Sequence, residues 1–358
     1  MKSLADTIGA RGRDNNFLFI RLLAATAVVI GHSFPLAATQ CGHCIEPHIA
    51  LGIPTPIHGI GVDIFFVVSG FLITASAEKN SLKDYMISRI LRIYPGLIAC
   101  LLLMAFVIGP IFTALPARDY FSSSTTYTYL LKPLSVFNST QFNLPDVKFT
   151  ETNNGTSVNG SLWTIPVEMR MYLLMASAAI LSIYPRIPFK NSIPTAFAIL
   201  ITLHFTTEQF STGTIKLACL FLSGALLYVF RSRIPYSPLL LAGLFGLCIV
   251  FKNSDAADAI LNITICYATI FFAYCKKIKL PSHIEDYSYG IYLYAFPIQQ
   301  VAANLLPWAG PYWIIAISVP ASWAAGAISW NLIEKPFLAL KNGLKSKANP
   351  KTCQDAGV

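Results

Sequence analysis

The feature that most constrains this chain is its division into continuous apolar blocks of about 20 residues, the length that crosses a hydrocarbon core. Hydrophobic residues make up 54% of the chain and charged residues only 12%, against about 25% charged residues in soluble domains. Lipid offers the backbone no hydrogen bonds, so a spanning segment is a helix or part of a closed barrel. Because the blocks are unbroken apolar runs, we predict an all-α, polytopic transmembrane helical bundle.

About ten spans are predicted, and the fifth and seventh are the shortest. They are residues 17–36, 61–77, 93–115, 162–184, 193–207, 215–230, 239–251, 256–274, 287–306 and 312–333. The predicted domains are a cytoplasmic N-terminal tail at 1–16, a membrane domain at 17–337 with an outer loop at 116–160, and a cytoplasmic C-terminal tail at 338–358.

The charges of the connecting segments predict the orientation of the bundle. Lys and Arg are concentrated in every second segment, and membrane proteins keep such residues on the cytoplasmic side. Both termini are therefore expected in the cytoplasm. The net charge of +9 is then a sign of topology and of contact with anionic lipid, and not of nucleic-acid binding.

Two ionisable residues lie within the first predicted span, where lipid makes them unfavourable. Arg21 and His32 are eleven residues apart, which places them about 20° apart on one helix face and about 16 Å apart along it. Arg21 is expected near the inner boundary and His32 in the outer third. A structural interpretation is that Arg21 extends to the headgroups and that a neighbouring helix satisfies His32.

Two carboxylates are predicted to meet His32 in the outer half of the membrane. Asp63 lies near the outer start of the second span, and Glu168 lies about two turns into the fourth. A carboxylate can orient a histidine that acts as a general base. The alternative for Glu168 is a structural ion pair with Arg170.

The inner side carries a second pair of arginines. Arg89 and Arg92 share a helix face just before the third span, and guanidinium groups suit phosphate oxygens; binding of lipid headgroups is the alternative. With Arg21, and with Ser69 and Gly70 near mid-membrane, they outline a path for a long donor with a phosphorylated head. Coenzyme A is such a molecule.

Two of the eight cysteines fall in the first outer loop, in the stretch Cys41-Gly-His43-Cys44. In an oxidising compartment, a disulfide between Cys41 and Cys44 is the favoured interpretation. A zinc site with His43 and His48 would need a fourth ligand. We therefore predict no metal site and no permanently bound cofactor.

Six motifs in order resemble the membrane acyltransferase family 3, and the resemblance covers about residues 16 to 337. They are the Arg21–His32 spacing, GVDIFFVVSGFLI at 61–73, RILRIYP at 89–95, SLW with the following glutamate at 161–168, YSYGIYLY at 287–294 and EKP at 334–336.

The resemblance implies O-acylation of a saccharide hydroxyl at the outer face of the bacterial inner membrane, usually with cytoplasmic acetyl-CoA as donor. It implies that Arg21 and His32 are essential, that His32 is nearest the chemistry as general base, and that Arg89 and Arg92 contact the coenzyme. The acceptor is expected to be lipid-linked, with lipopolysaccharide O-antigen as first choice. A covalent acyl intermediate on His32 or Ser69 is the alternative chemistry.

The acceptor side is predicted from aromatic and polar residues of the later motifs, which are Trp163, Arg170, Tyr289, Tyr292 and Tyr294. Many family members have a histidine where this chain has Ala295, so that Gln299 or Tyr294 would take its place. A transporter or flippase for a lipid-linked sugar or a small acid also explains buried charges. It predicts broken helices in two related halves, which the sequence does not contain.

Overall fold

A computed structural model describes residues 2–12, 14–37, 45–137, 141–150, 152, 155–183, 188, 191–196, 198–199, 212–278 and 280–340, and this part of the chain is helical without a β-sheet. The all-α prediction is thereby confirmed. The long helices are α1 (Phe17–Leu36), α2 (Ile57–Lys79), α3 (Leu82–Leu103), α4 (Thr164–Ile183), α5 (Thr212–Val229), α6 (Pro238–Val250), α7 (Ala257–Ala273), α8 (Ser288–Leu305) and α9 (Pro311–Ser329).

Five helical segments of the described chain are long and apolar enough to cross a membrane, namely Phe17–Leu36, Ile57–Lys79, Leu82–Phe112, Gly160–Leu181 and Pro311–Leu340. Shorter apolar helices are Gly213–Val229, Pro238–Val250 and Ala257–Ala273. The predicted fifth span at 193–207 and the C-terminal tail lie mostly outside the described residues. The count of ten spans and the cytoplasmic termini therefore stay predictions.

Helix α3 begins eleven residues before the predicted third span. The Ser81 hydroxyl accepts a hydrogen bond from the Asp84 amide and caps the helix. The helix then continues through a π-helical turn, Met104–Ile108, and the segment Gly109–Phe112. Arg89 and Arg92 thus lie on one helix, as their predicted shared helix face requires, and this helix is continuous with the predicted third span.

Glycines bring the central helices into close contact. A Cβ atom on Gly61 would lie 2.6 Å from the Ala24 carbonyl oxygen of α1, and one on Gly70 would overlap the Phe221 carbonyl of α5. Gly70 was predicted to bind acyl-CoA. The structure places it instead in the contact between α2 and α5, where no larger residue fits.

The described parts of the predicted outer loop, at 116–137, 141–150, 152 and 155–160, fold against the bundle. They contain the helices Ala117–Ser122 and Ser124–Leu131 and the 3-10 turn Lys132–Leu134. Tyr120 and Phe149 are fully buried, and the Tyr120 hydroxyl donates to the Ala105 carbonyl at 2.8 Å. Asn159 donates to the Leu293 carbonyl at 2.9 Å. The 3-10 turn Gly160–Trp163 and α4 therefore begin within the bundle.

The N-terminal tail is also folded. The helix Leu4–Arg11 is capped by Ser3. Backbone hydrogen bonds join it to the segment between α5 and α6, from the Leu4 amide to the Ile234 carbonyl at 2.8 Å and from the Ala5 amide to the Arg231 carbonyl at 2.9 Å. A second short helix, Pro47–Leu51, precedes α2.

Candidate active site

A pocket lies between α1, α2, α3, α4 and α8, with about 810 Å³ of empty space, part of it open to solvent. Its walls collect many of the residues predicted from the sequence. Those in the lining are Arg21, Ser69, Arg89, Arg92, Glu168, Tyr289 and Tyr292.

An ion cluster closes one end of the pocket, which is its inner end in the predicted orientation of the bundle. Asp286, just before α8, accepts contacts from Arg21 at 3.1 Å and from Arg92 at 2.7 Å. Burial alone would raise the pKa of Asp286, but the guanidinium groups of Arg92 and Arg21 outweigh burial and lower this pKa to about 2. Asp286 therefore stays ionised and holds the two arginines together.

Arg92 is also held from its other side. Its guanidinium lies 3.4 Å from Glu334 and between the rings of Tyr289 and Trp330, 5.7 Å and 5.5 Å from their centroids. Glu334 is fully buried and ends a π-helical turn, Trp330–Glu334. Such turns are frequent at functional sites. Two carboxylates and two rings thus fix Arg92.

Arg89 has a different environment. It forms no ion pair with any carboxylate of the described residues, and its guanidinium lies 5.7 Å from the centroid of the Tyr172 ring. Its Nε atom is buried without a hydrogen-bond partner in this part of the chain, as is the Nε atom of Arg21. Unpaired buried cationic donors are unfavourable, and an anionic ligand would satisfy both.

One wall of the pocket is polar at about the depth of Arg21. The Ser69 hydroxyl donates to Glu168 at 3.3 Å, and the Tyr172 hydroxyl donates to the same carboxylate. At the outer end, the hydroxyls of Thr164 and Tyr292 are 2.6 Å apart. The pocket therefore extends past Glu168 toward the outer half of the bundle.

His32 lies beyond this outer end and is partly exposed. Its ring stacks on that of His58, with centroids 4.4 Å apart and planes at 20°, and makes a T-shaped contact with Phe296 at 5.5 Å. Val62, which lines the pocket, is one helical turn from His58, about 6 Å along α2. The pocket thus reaches to within about one turn of the histidine pair.

The expectation that Asp63 orients His32 is wrong. Asp63 pairs with Lys216 of α5 at 3.0 Å. The reason is helix rotation, since Gly61 faces α1 and Asp63 lies about 200° further around α2. His58, about 60° from Gly61, is the residue that faces His32.

Glu168 is also not beside His32. It contacts Ser69, which lies eleven residues beyond His58 and so about 16 Å further along α2. The reason is that the segment before α4 folds into the bundle. Gly160 packs against Phe296, which contacts His32, so α4 begins at about the depth of His32. Helix α4 therefore carries Glu168 to the depth of Arg21.

The remaining predicted residues lie away from the pocket. Arg170 donates to the Val136 carbonyl at 2.9 Å and forms no ion pair with Glu168 in the described chain. Trp163 is partly exposed beside Gly213, and Tyr294 is buried outside the pocket lining. Gln299 donates to the Val29 carbonyl at 2.6 Å.

Cys41, His43 and Cys44 lie outside the described residues, so the disulfide stays a prediction.

Asp286 and His58 were not among the residues predicted from the sequence. Asp286 immediately precedes the motif that begins at Tyr287. It is an acidic residue at the end of a connecting segment that carries several lysines. This is the signal that could have identified it as the partner of Arg21. His58 lies three residues before Gly61, outside the predicted span, so only the earlier start of α2 reveals it.

A family model described as an acyltransferase domain matches residues 15–330. The chain is 29% identical to an O-acetyl transferase of Shigella phage Sf6 over 91% of this chain and 96% of that protein. It is 27% identical to nodulation protein 10 of Rhizobium leguminosarum bv. viciae over 94% and 96%. It is 25% identical to O-acetyltransferase OatA of Staphylococcus aureus over 81% of this chain and 54% of OatA.

No solved structure matches the chain. The family match favours the acyltransferase interpretation over the transporter, and it agrees with the resemblance carried by the sequence motifs. With its several apolar helices, the chain is a multi-pass membrane acyltransferase that belongs to the acyltransferase-domain family.

Proposed function

We propose that the protein transfers an acetyl group from cytoplasmic acetyl-CoA to a hydroxyl of a lipid-linked saccharide, with His32 as the general base. One observation carries the proposal. A single pocket begins at Arg21, Arg89 and Arg92 and ends about one helical turn from the His32–His58 pair.

The inner end suits the phosphorylated head of the donor. Guanidinium groups bind phosphate through charge-assisted hydrogen bonds, and the buried Nε atoms of Arg21 and Arg89 have no partner in the described chain. The rise from Arg21 to His32 is about 16 Å, comparable to the length of a pantetheine arm. Ser69, in the pocket wall at about the depth of Arg21, would lie beside the start of that arm.

The proposed reaction has one proton transfer and one acyl transfer. His32 takes the proton of the acceptor hydroxyl while its oxygen attacks the thioester carbonyl. The new C–O ester bond forms, the C–S bond breaks, and the coenzyme A thiolate leaves with the proton that His32 returns. Direct transfer needs only one base, and His32 is the histidine of the family motif.

The acceptor is proposed to approach from the outer half, where His32 is partly exposed. The name of the Shigella phage relative, O-acetyl transferase, supports acetyl as the transferred group. O-antigen carried on a lipid, in the bacterial inner membrane, is the acceptor we favour. Trp163, with 38% of its surface exposed, is available to stack on a sugar.

The experiment is transfer of radiolabel from acetyl-CoA to lipid-linked saccharide by the purified protein in nanodiscs. We expect label on the saccharide with the unmodified protein and none with His32→Ala. The matched control is His283→Ala, which removes an exposed histidine and should leave transfer unchanged. Normal transfer by folded His32→Ala would overturn the proposal.

A further inference from the structure

We propose that His58 is a positioning residue for His32, holding its ring and stabilising the imidazolium that forms when His32 takes a proton. This inference rests on the proposed function. In many histidine-based sites a carboxylate orients the histidine and stabilises its imidazolium. Here the stacked imidazole of His58 takes that role.

The geometry of the pair is the first argument. The two rings are nearly parallel, with planes at 20° and centroids 4.4 Å apart. Phe296 touches His32 in a T-shaped contact at 5.5 Å. His32 is therefore held by α2 through His58 and by α8 through Phe296, and its ring has a fixed orientation.

The stack depends on a glycine next to His32. A Cβ atom on Gly31 would overlap the backbone nitrogen of His58 and lie 2.8 Å from its Cβ atom. Only glycine therefore allows α1 and α2 to approach closely at this point. Gly31 thus allows the backbone of α2 at His58 to lie directly against α1, next to His32.

The surroundings of the pair also matter, because no carboxylate of the described residues is in contact with His32. Asp63 pairs with Lys216 on the other side of α2, and Glu168 is bonded to Ser69. The Nδ1 atoms of His32 and His58 are both buried without a hydrogen-bond partner in the described chain. A protonated His32 therefore has the face of His58 as its neighbour.

A neutral ring stabilises a cation on its face by cation–π attraction. Two imidazolium rings in contact would repel each other, so the pair holds one positive charge at a time. Among the described residues, His48 is the further titratable group near His58, and it contacts Glu46 at 3.0 Å. A neutral His58 is thus suited to stabilise the cationic form of His32.

The test compares four variants by kcat, KM for acetyl-CoA and the pH profile of kcat: His58→Leu, His58→Gln, His58→Phe and the exposed control His283→Leu. For Leu and Gln we expect kcat to fall about tenfold, with KM unchanged. The acid limb of the profile should move to lower pH, because His32 becomes harder to protonate. The Phe variant keeps a ring face and should retain most of kcat and the position of that limb.

The outcomes separate the two proposals. An inactive wild-type protein, or an active His32→Ala variant, would remove the proposed function itself. An active wild type with unchanged kcat in His58→Leu or His58→Gln would overturn only the role of His58. Equal losses in Leu, Gln and Phe with an unmoved acid limb would show that His58 only packs, and would overturn it as well. Thermal unfolding of each variant confirms that the protein compared is folded.

Discussion

At the scale of single residues, Arg89 and Arg92 differ in their partners although they belong to one motif. Arg92 contacts Asp286 and Glu334, and the latter is fully buried. Removing Arg92 leaves that carboxylate without a countercharge, which in buried pairs costs about 3–5 kcal/mol. We expect Arg92→Ala to lower the unfolding temperature strongly, as measured by a thermal-shift assay in detergent.

Arg89→Ala should have a different effect, because Arg89 has no carboxylate partner in the described chain. We expect a nearly unchanged unfolding temperature and a KM for acetyl-CoA raised about tenfold, since a lost charged hydrogen bond is worth about 1.5–3 kcal/mol. Arg89→Lys keeps the charge and should show a smaller rise. Unchanged KM in Arg89→Ala would remove Arg89 from the donor site.

Asp286 gives a prediction on pH. Its pKa is about 2 in the folded protein and about 3.9 in an unfolded chain. A lowered pKa means that the stabilisation is present above the unfolded value and is lost as pH falls toward the folded one. The difference in unfolding temperature between wild type and Asp286→Asn should therefore shrink as pH falls from 5 to below 4. A difference that stays the same from pH 5 to pH 3 would contradict this.

At the scale of helices, the crossing of α2 and α5 depends on Gly70 and Gly224. A Cβ atom on either residue would meet the backbone of the other helix, at Phe221 and at Val67. We expect Gly70→Ala and Gly224→Ala to reduce the yield of folded protein, since overpacking costs about 1–3 kcal/mol or more. Size-exclusion chromatography in detergent measures that yield.

Gly243 provides the matched control for this crossing. It lies in the apolar helix α6, and a Cβ atom there would meet nothing within 4 Å. Gly243→Ala should leave the folded yield unchanged or raise it, because alanine favours helix more than glycine. Equal losses in all three variants would mean that the close approach of α2 and α5 is unimportant.

The ends of several helices could be predicted from the sequence, because each coincides with an apolar run. Helices α6 and α7 differ from the predicted spans at 239–251 and 256–274 by one residue at each end. The start of α3 could not be predicted in this way, because residues 82–92 mix charged and apolar residues and form no apolar run. Their helical form depends on the Ser81 cap and on buried side chains such as Tyr85.

The pairing of side chains was harder to predict than the helices. The separation of Arg21 and His32 could be predicted because both residues lie in one continuous helix, α1. The prediction for Glu168 was wrong because the preceding outer segment folds into the bundle. The prediction for Asp63 was wrong for another reason. The sequence gives the angular position of a residue around its own helix, but it does not show which face of that helix packs against α1.

At the scale of the whole molecule, the pocket has two unlike ends. The arginines and Asp286 lie near the start of α8, whereas the His32–His58 pair lies toward the outer segment and the start of α2. The proposed reaction requires the first end to face the cytoplasm, which contains acetyl-CoA. The distribution of Lys and Arg among the connecting segments predicts this orientation, which is independent of any argument about the chemistry.

The orientation can be measured by labelling introduced cysteines with a membrane-impermeant maleimide in right-side-out vesicles. Ser124, in the predicted outer segment, and Ser232, between α5 and α6, are both exposed. We expect Ser124→Cys to be labelled in sealed vesicles and Ser232→Cys only after the vesicles are opened, with the wild type giving the background of the native cysteines. The opposite pattern would place the arginine end outside, away from cytoplasmic coenzyme A, and the donor route proposed for the pocket would then be wrong.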